Sequence, residues 1–237
     1  ANAESVVYYS ESKLDEFLIR SDSEVCLINS SQYSKSKAYA TKELLDEKGI
    51  TYIDKYIITH YGFNLEDDFE VILSSYLTKT IYLPKPQNDD EGMILKKLKK
   101  TVSEYVANII TYDKFEKIRL GKITMTPLLN VAYGEDTSTN AFVLYSYDNT
   151  MLYLSSGVLN HKDIELYYDY ISASDQIIFG SHGKKYNKKL YLPYIDGDAQ
   201  RMIFGSSNLF LTQETMAEHI EKGCEILSHP KEIELLK

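Results

Sequence analysis

Tryptophan is absent from this chain of 237 residues, cysteine occurs twice, and proline and glycine are held to five and eleven. Each scarcity closes off a class of protein. So little proline and glycine excludes a collagenous or low-complexity chain, and the lack of any repeat of fixed period sets aside solenoids and propellers. Cys26 and Cys224 are far apart in sequence, so no C-x-x-C pair signals zinc or redox chemistry. Cys26 lies within the apolar run Val25 to Ile28 and reads as a small buried hydrophobe, while a disulfide between the two stays open. No run of about 18 apolar residues occurs, so no membrane-spanning helix is expected, and no signal-peptide apolar region is read at the start. Also missing are a glycine-rich phosphate loop and a G-x-S-x-G nucleophile elbow; Ser155-Ser156-Gly157 has no identifiable base.

What is present is acidic. Thirty-five Asp and Glu against 26 Lys and Arg give a net charge of −9, which opposes the counterion release that drives non-specific binding to nucleic acid. The lysines at 96, 97, 99 and 100 cluster on one predicted helix and read as a solvated face. With 43% hydrophobic residues the chain is long enough to bury one large core, and a single domain over 1–237 is expected, in two pseudo-halves of about 1–115 and 116–237. The twenty-one tyrosines are read as core and rim residues, apolar on one side and wet on the other, and not as a base-stacking platform.

Hydrophobic periodicity predicts strands at 6–9, 24–28, 52–59 and 80–83 with helices over 36–48, 66–75 and 93–105 between or after them. Gly49 is expected to stop the first helix, and Glu66, Asp67 and Asp68 suit the first turn of the second. Further strands are expected at 108–112, 118–127, 140–145, 151–154, 176–179 and 201–204, with a turn at Asp148-Asn149 and helices over 162–171 and 212–222.

The stretch Tyr52-Ile-Asp-Lys-Tyr-Ile-Ile-Thr-His60 resembles a strand of the metallo-β-lactamase fold, specifically of the β-lactamase-like domain of ComEC-type competence proteins, where it leads into the metal signature H-x-H-x-D-H. His60 stands at the first position of that signature, Gly62 at the second His, Asn64 at the Asp and Leu65 at the last His. Residues 25–31 resemble the family's L-I-D-S-G strand end with Asn29 for the acid. Met151 to Gly157 resembles L-L-L-T-G-D, with Ser156 within the motif and Gly157 at the metal-bridging Asp. Ile177 to Gly183 resembles V-L-K-x-x-H-H-G, with Ser181 for one His and His182 for the other. Four motifs in the right order, from about Glu24 to about Lys222, imply a four-layer αβ/βα sandwich.

The same resemblance implies a degenerate site. A dinuclear hydrolase centre needs about five or six His and carboxylate ligands in one cavity to hold its ions and activate water. Here two imidazoles remain, so no catalytic residue and no metal is assigned, and zinc or manganese enters only in an alternative reading. The leading expectation is a non-catalytic domain with a structural or binding role, more pseudoenzyme than enzyme. The resemblance further implies a membrane-embedded remainder of a parent DNA-uptake protein as partner and an extracytoplasmic location. Two alternatives stay open: a nuclease- or phosphodiesterase-type hydrolase with an atypical site near His60 and His182, and a module that binds a small polar ligand in a pocket lined by Asn29, His60, Asn64, Ser156 and His182. As replacement ligands, His161, Asp196 and Asp198 read as ordinary surface residues, and His219 and His229 lack ligand spacing.

Overall fold

The computed structural model describes residues 5–11, 14–29, 34–62, 64–105, 107–129, 140–145, 151–155, 168–179, 202–204, 213–227 and 231–234. Within these, the strands in chain order are β1 (Ser5–Glu11), β2 (Leu14–Ser21), β3 (Glu24–Asn29), β4 (Tyr52–Ile58), β5 (Leu77–Pro84), β6 (Asn108–Tyr112), β7 (Ile118–Leu120), β8 (Ile123–Leu129), β9 (Asn140–Tyr145), β10 (Met151–Ser155), β11 (Gln176–Phe179), β12 (Met202–Phe204), β13 (Glu225–Ile226) and β14 (Lys231–Glu234). They form two seven-stranded sheets, ordered β14-β1-β2-β3-β4-β5-β6 and β13-β12-β11-β10-β9-β8-β7. In each sheet an antiparallel portion gives way to parallel strands: β3 to β6 in the first, β10 to β13 in the second. Parallel neighbours require crossovers. In the first sheet these contain α1 (Lys35–Glu47), α2 (Leu65–Ser75) and α3 (Asp89–Val102).

Side-chain alternation along the strands sorts the apolar residues into two cores. Val6, Phe17, Ile19, Cys26, Ile28 and Ile57 meet Ile118, Ile123, Met125, Ile178 and Ile203 of the second sheet, which fixes the sheets face to face. Their neighbours Val7, Leu18, Leu27, Tyr56 and Ile58 point the other way and pack with Leu45, Phe69, Ile72 and Leu98 of the helices. On the far face of the second sheet, α4 (Gln213–Glu221) sets His219 edge-on against Phe204, with ring centroids 5.0 Å apart. Helix, sheet, sheet, helix is therefore the order of layers expected from sequence.

Helix ends are set by local chemistry. Ser34 caps α1 by accepting a bond from the Lys37 N–H at 3.3 Å. The helix ends at Gly49, whose φ of +66° costs a glycine nothing and lets Ile50 N–H return to the Leu45 carbonyl at 2.9 Å. The third helix starts at Asp89, four residues before the start that the sequence pattern predicts. Asn88 accepts from Glu91 N–H at 2.9 Å while the Glu91 carboxylate accepts from Gln87 N–H at 2.7 Å, so a reciprocal cap draws the polar residues 89–92 into the helix.

The structure departs from the sequence pattern at two further places and decides the cysteine question that the sequence leaves open. Strand β2 is not anticipated by the pattern, because Asp15, Glu16 and Arg20 break its apolar run. The expected strand over 118–127 is two strands, turned at Gly121-Lys122. Cys26 and Cys224 are both free and buried, so no disulfide joins them. Residues 148 and 149, expected to form a turn, lie outside the described residues, although β9 and β10 pair antiparallel as that turn requires. Of the helix expected over 162–171, residues 168–171 are described and helical, and the helix continues to 172.

The turn at Gly121 fastens one sheet to the other. Gly121 N–H donates to the Glu24 carboxylate at 2.5 Å and Lys122 N–H to Ser21 Oγ at 2.8 Å. Gly121 has a φ of +51°, and a Cβ there would stand 2.5 Å from Ser21 Oγ and 2.7 Å from the Ser21 carbonyl oxygen. Gly121→Ala therefore combines backbone strain with a clash and is expected to cost about 2 kcal/mol or more in urea denaturation. Gly92→Ala, in α3 with nothing within 4 Å of the added atom, is expected to stabilise by about 0.5 kcal/mol. Equal effects of the two substitutions would contradict the clip.

Candidate functional site

The site expected from sequence lies where the parallel strands of the first sheet end. Parallel pairing brings Asn29, last in β3, beside Ile58, last in β4. The chain then turns. Thr59 N–H donates to the Asn29 carbonyl at 3.3 Å, the Thr59 hydroxyl lies 3.4 Å from the same oxygen, and His60 Nδ1 lies 3.0 Å from Thr59 Oγ1. When the hydroxyl donates to Asn29, its lone pair accepts Nδ1–H of His60 and leaves Nε2 as the basic nitrogen, the tautomer a metal ligand needs. His60 is held in place and only 3% exposed.

Two tyrosines pin this corner. Tyr112 Oη, from β6, donates to the Ile58 carbonyl at 2.7 Å, and Tyr61 Oη donates to the Pro84 carbonyl at the end of β5 at 2.5 Å. Both rings are buried, and burial pushes the Tyr61 hydroxyl above its ordinary pKa. Sequence reasoning places the tyrosines in core and rim generally but singles out neither. The usable signal is that each terminates or follows a strand, where carbonyls lose their sheet partners.

The other positions of the first motif do not converge on His60. Gly62 is half-buried and offers only its backbone carbonyl, which accepts from Leu65 N–H at 3.2 Å. Asn64 is exposed at the start of α2 and makes no side-chain cap. Leu65 is 0% exposed and belongs to the core between helices and first sheet, with Tyr61 and Phe69. Asn29 is also fully buried, with its Nδ2 donating to Tyr56 Oη at 3.2 Å, so it lines no open cleft. Ser156, Gly157, Ser181 and His182, together with His161, Asp196, Asp198 and His229, lie outside the described residues. His219 is buried on α4 against Phe204.

Among the described residues no three His, Cys, Asp or Glu side chains are grouped as metal ligands. Within the first motif, one imidazole, a glycine, an exposed amide and a core leucine supply no anionic donor, and a two-metal centre needs such donors to offset dehydration of its ions. The lysines at 96, 97, 99 and 100 are all exposed, and Lys97 pairs with Glu66 at 2.5 Å, as a solvated helix face would. A separate cleft of about 300 Å³, lined by Ser5, Arg20, Glu24 and Lys48 among others, sits at the opposite ends of the strands from His60.

No protein-family model matches this sequence, and no curated protein does. Solved structures do match. The metallo-β-lactamase fold protein YhfI from Bacillus subtilis superposes with a TM-score of 0.62 at 11% identity, over 98% of this chain and 100% of that one. The chain has the metallo-β-lactamase fold. A protein of Veillonella parvula described as a possible metal-dependent hydrolase gives 0.59 at 10% identity, over 99% of this chain and 100% of that one. CmlA, a diiron β-hydroxylase from Streptomyces venezuelae, gives 0.58 at 13% identity over 99% of this chain, which spans 55% of CmlA.

The inward packing of Leu65 carries a direct test. Leu65→His, which restores the residue type of the motif's last position, buries an imidazole among Tyr61 and Phe69 and is expected to destabilise by about 2 kcal/mol or more. It is expected not to confer zinc binding. A Leu65→His protein as stable as the wild type, with new zinc affinity in calorimetry, would show that position 65 faces the site.

Proposed function

We propose that this chain is a non-catalytic member of the metallo-β-lactamase fold, kept for a structural or binding role. The observation that carries the reading is Leu65. At the position where the motif has a ligand, the chain has a core residue whose burial holds α2 to the sheet. The neighbours' metal-dependent chemistry pulls the other way, but chemistry follows the donor set and not the fold. The resemblance of the His60, Asn29, Gly157 and His182 motifs to ComEC-type domains supports a place beside a DNA-uptake channel, as the soluble part of a membrane-embedded parent. On that reading the domain makes at most transient contact with DNA, since its charge of −9 opposes counterion release.

The hydrolase reading rests on one feature, the basic Nε2 left on a buried His60. A mononuclear site would need that nitrogen and His182 to share an ion without a carboxylate, a weak combination for a divalent metal. Protein purified without chelator is expected to contain well under one equivalent of zinc or manganese by elemental analysis, and EDTA is expected to leave its Tm unchanged. One equivalent or more, lost on His60→Ala, would replace this reading with the hydrolase. Dissociation constants for duplex DNA are expected to be weaker than about 10⁻⁵ M near physiological salt. Tighter binding by fluorescence anisotropy, abolished by charge reversal at Lys96, Lys97, Lys99 and Lys100, would contradict the solvated-face assignment.

A further inference from the structure

Beneath α1 and α2, on the helix side of the first sheet, lies a buried polar cluster that the site does not use. Glu16 of β2 is 0% exposed and stands directly across from Asn29 in the antiparallel register. Its Oε1 accepts a short hydrogen bond from the Thr41 hydroxyl of α1. Asn29 in turn donates to Tyr56 Oη of β4. Asp68 of α2 is 1% exposed, and its Oδ2 is buried with no hydrogen-bond partner among the described residues.

A carboxylate in that position carries a charge that no described cation neutralises. The cations near α2 are engaged at its exposed rim: Lys35 with Glu70 at 3.3 Å and Lys97 of α3 with Glu66 at 2.5 Å. Lys37, one turn before Thr41 on α1, is half-exposed, and the charges that act on Asp68 are the acids Glu16 and Asp67. From β4 the facing group is the Tyr56 hydroxyl, raised well above its ordinary pKa chiefly by its own burial, and so itself neutral. An ionised Asp68 would add a second buried negative charge near Glu16, a state that desolvation and like-charge repulsion both oppose.

We propose that α2 is docked on the first sheet by a proton-dependent latch, in which Asp68 is held as a neutral carboxylic acid near Glu16 and the helix loosens when that proton leaves. The neutral form keeps Phe69 against Tyr56, with ring centroids 5.9 Å apart, and Leu65 in the core. Because α2 begins at Leu65, whose N–H donates to the Gly62 carbonyl two residues beyond His60, loosening it frees the corner that carries His60. The latch does not depend on whether the fold binds metal, so it stands or falls apart from the proposed function.

Burial, then Glu16, then Asp67 raise the Asp68 carboxyl well above its ordinary range. A carboxyl raised on folding stabilises the fold fully below its unfolded pKa of about 3.9, and that contribution is lost as pH climbs through the folded pKa. The test is the unfolding equilibrium as a function of pH for the wild type and Asp68→Asn, joined to a ¹³C titration of the Asp68 carboxyl and amide hydrogen exchange along residues 65–75. Relative to Asp68→Asn, the wild type is expected to lose up to about tenfold in its folding constant per pH unit above about pH 4, until the carboxyl has titrated. Exchange in α2 is expected to quicken over the same window in the wild type alone. Glu16→Gln, which removes a neighbouring charge, is expected to lower the titration midpoint of Asp68 and narrow the window, and it keeps the test decisive if Asp68→Asn folds poorly. A carboxyl titrating near its ordinary value of about 4, or the same pH dependence in both proteins, would overturn the latch. So would a calcium or magnesium salt that raises the wild-type midpoint at alkaline pH and leaves Asp68→Asn unmoved, since a cation would then occupy the place given to the proton.

Discussion

The parallel pairing of β3 with β4, in the register that sets Asn29 beside Ile58, is the constraint on which the rest of the structure depends. It assigns Cys26, Ile28 and Ile57 to the core between the sheets and Leu27, Tyr56 and Ile58 to the core under the helices. A slip of β2 and β3 by one residue against β4 would turn Cys26 and Ile28 toward the helices and leave Glu16 and Asn29 facing the second sheet. The same register delivers the Asn29 carbonyl to Thr59 and, through the Thr59 hydroxyl, fixes the ring of His60. Packing and site geometry are thus two results of one strand pairing.

Tyrosine does the joining work at both ends of the sheet. Tyr112 and Tyr61 close carbonyls at strand ends, and Tyr76 reaches from the end of α2 to the Lys42 carbonyl at 2.9 Å and the Asp46 carboxylate at 2.6 Å. In each case a phenylalanine would fill the same space and leave a buried or half-buried acceptor without its donor, a loss of about 1–3 kcal/mol where burial is complete. At these three positions the fold uses a hydroxyl at the tip of an apolar ring.

The frame is more legible in the sequence than the directions of its side chains. Strands Asn108–Tyr112, Asn140–Tyr145 and Gln176–Phe179 have the bounds that the sequence pattern predicts, because each is a short apolar run between turn residues. Strand β2 is hidden by Glu16, whose burial depends on Thr41 of a helix that follows it in the chain, a contact no local pattern carries. Gly121 gives no warning of how tightly its turn is held, since the atoms that leave no room for a Cβ there belong to Ser21 on the other sheet. At the site, motif spacing locates the corner at His60 but not the fate of its neighbours. Leu65 reads as a lost ligand in the motif, whereas in the fold it is the first apolar residue of an amphipathic helix and turns inward with Phe69 and Ile72.

On the proposed reading the fold keeps the corner of a metal site at His60 and has given positions 62, 64 and 65 of the first motif to the backbone, to solvent and to core packing. Cobalt(II) titration monitored by visible ligand-field absorption tests this most directly, because the spectrum reports the number and kind of donors as well as affinity. A spectrum that stays that of the hydrated ion up to millimolar cobalt is the predicted result. A saturable tetrahedral or five-coordinate spectrum at one or two equivalents, abolished by His60→Ala, would contradict it.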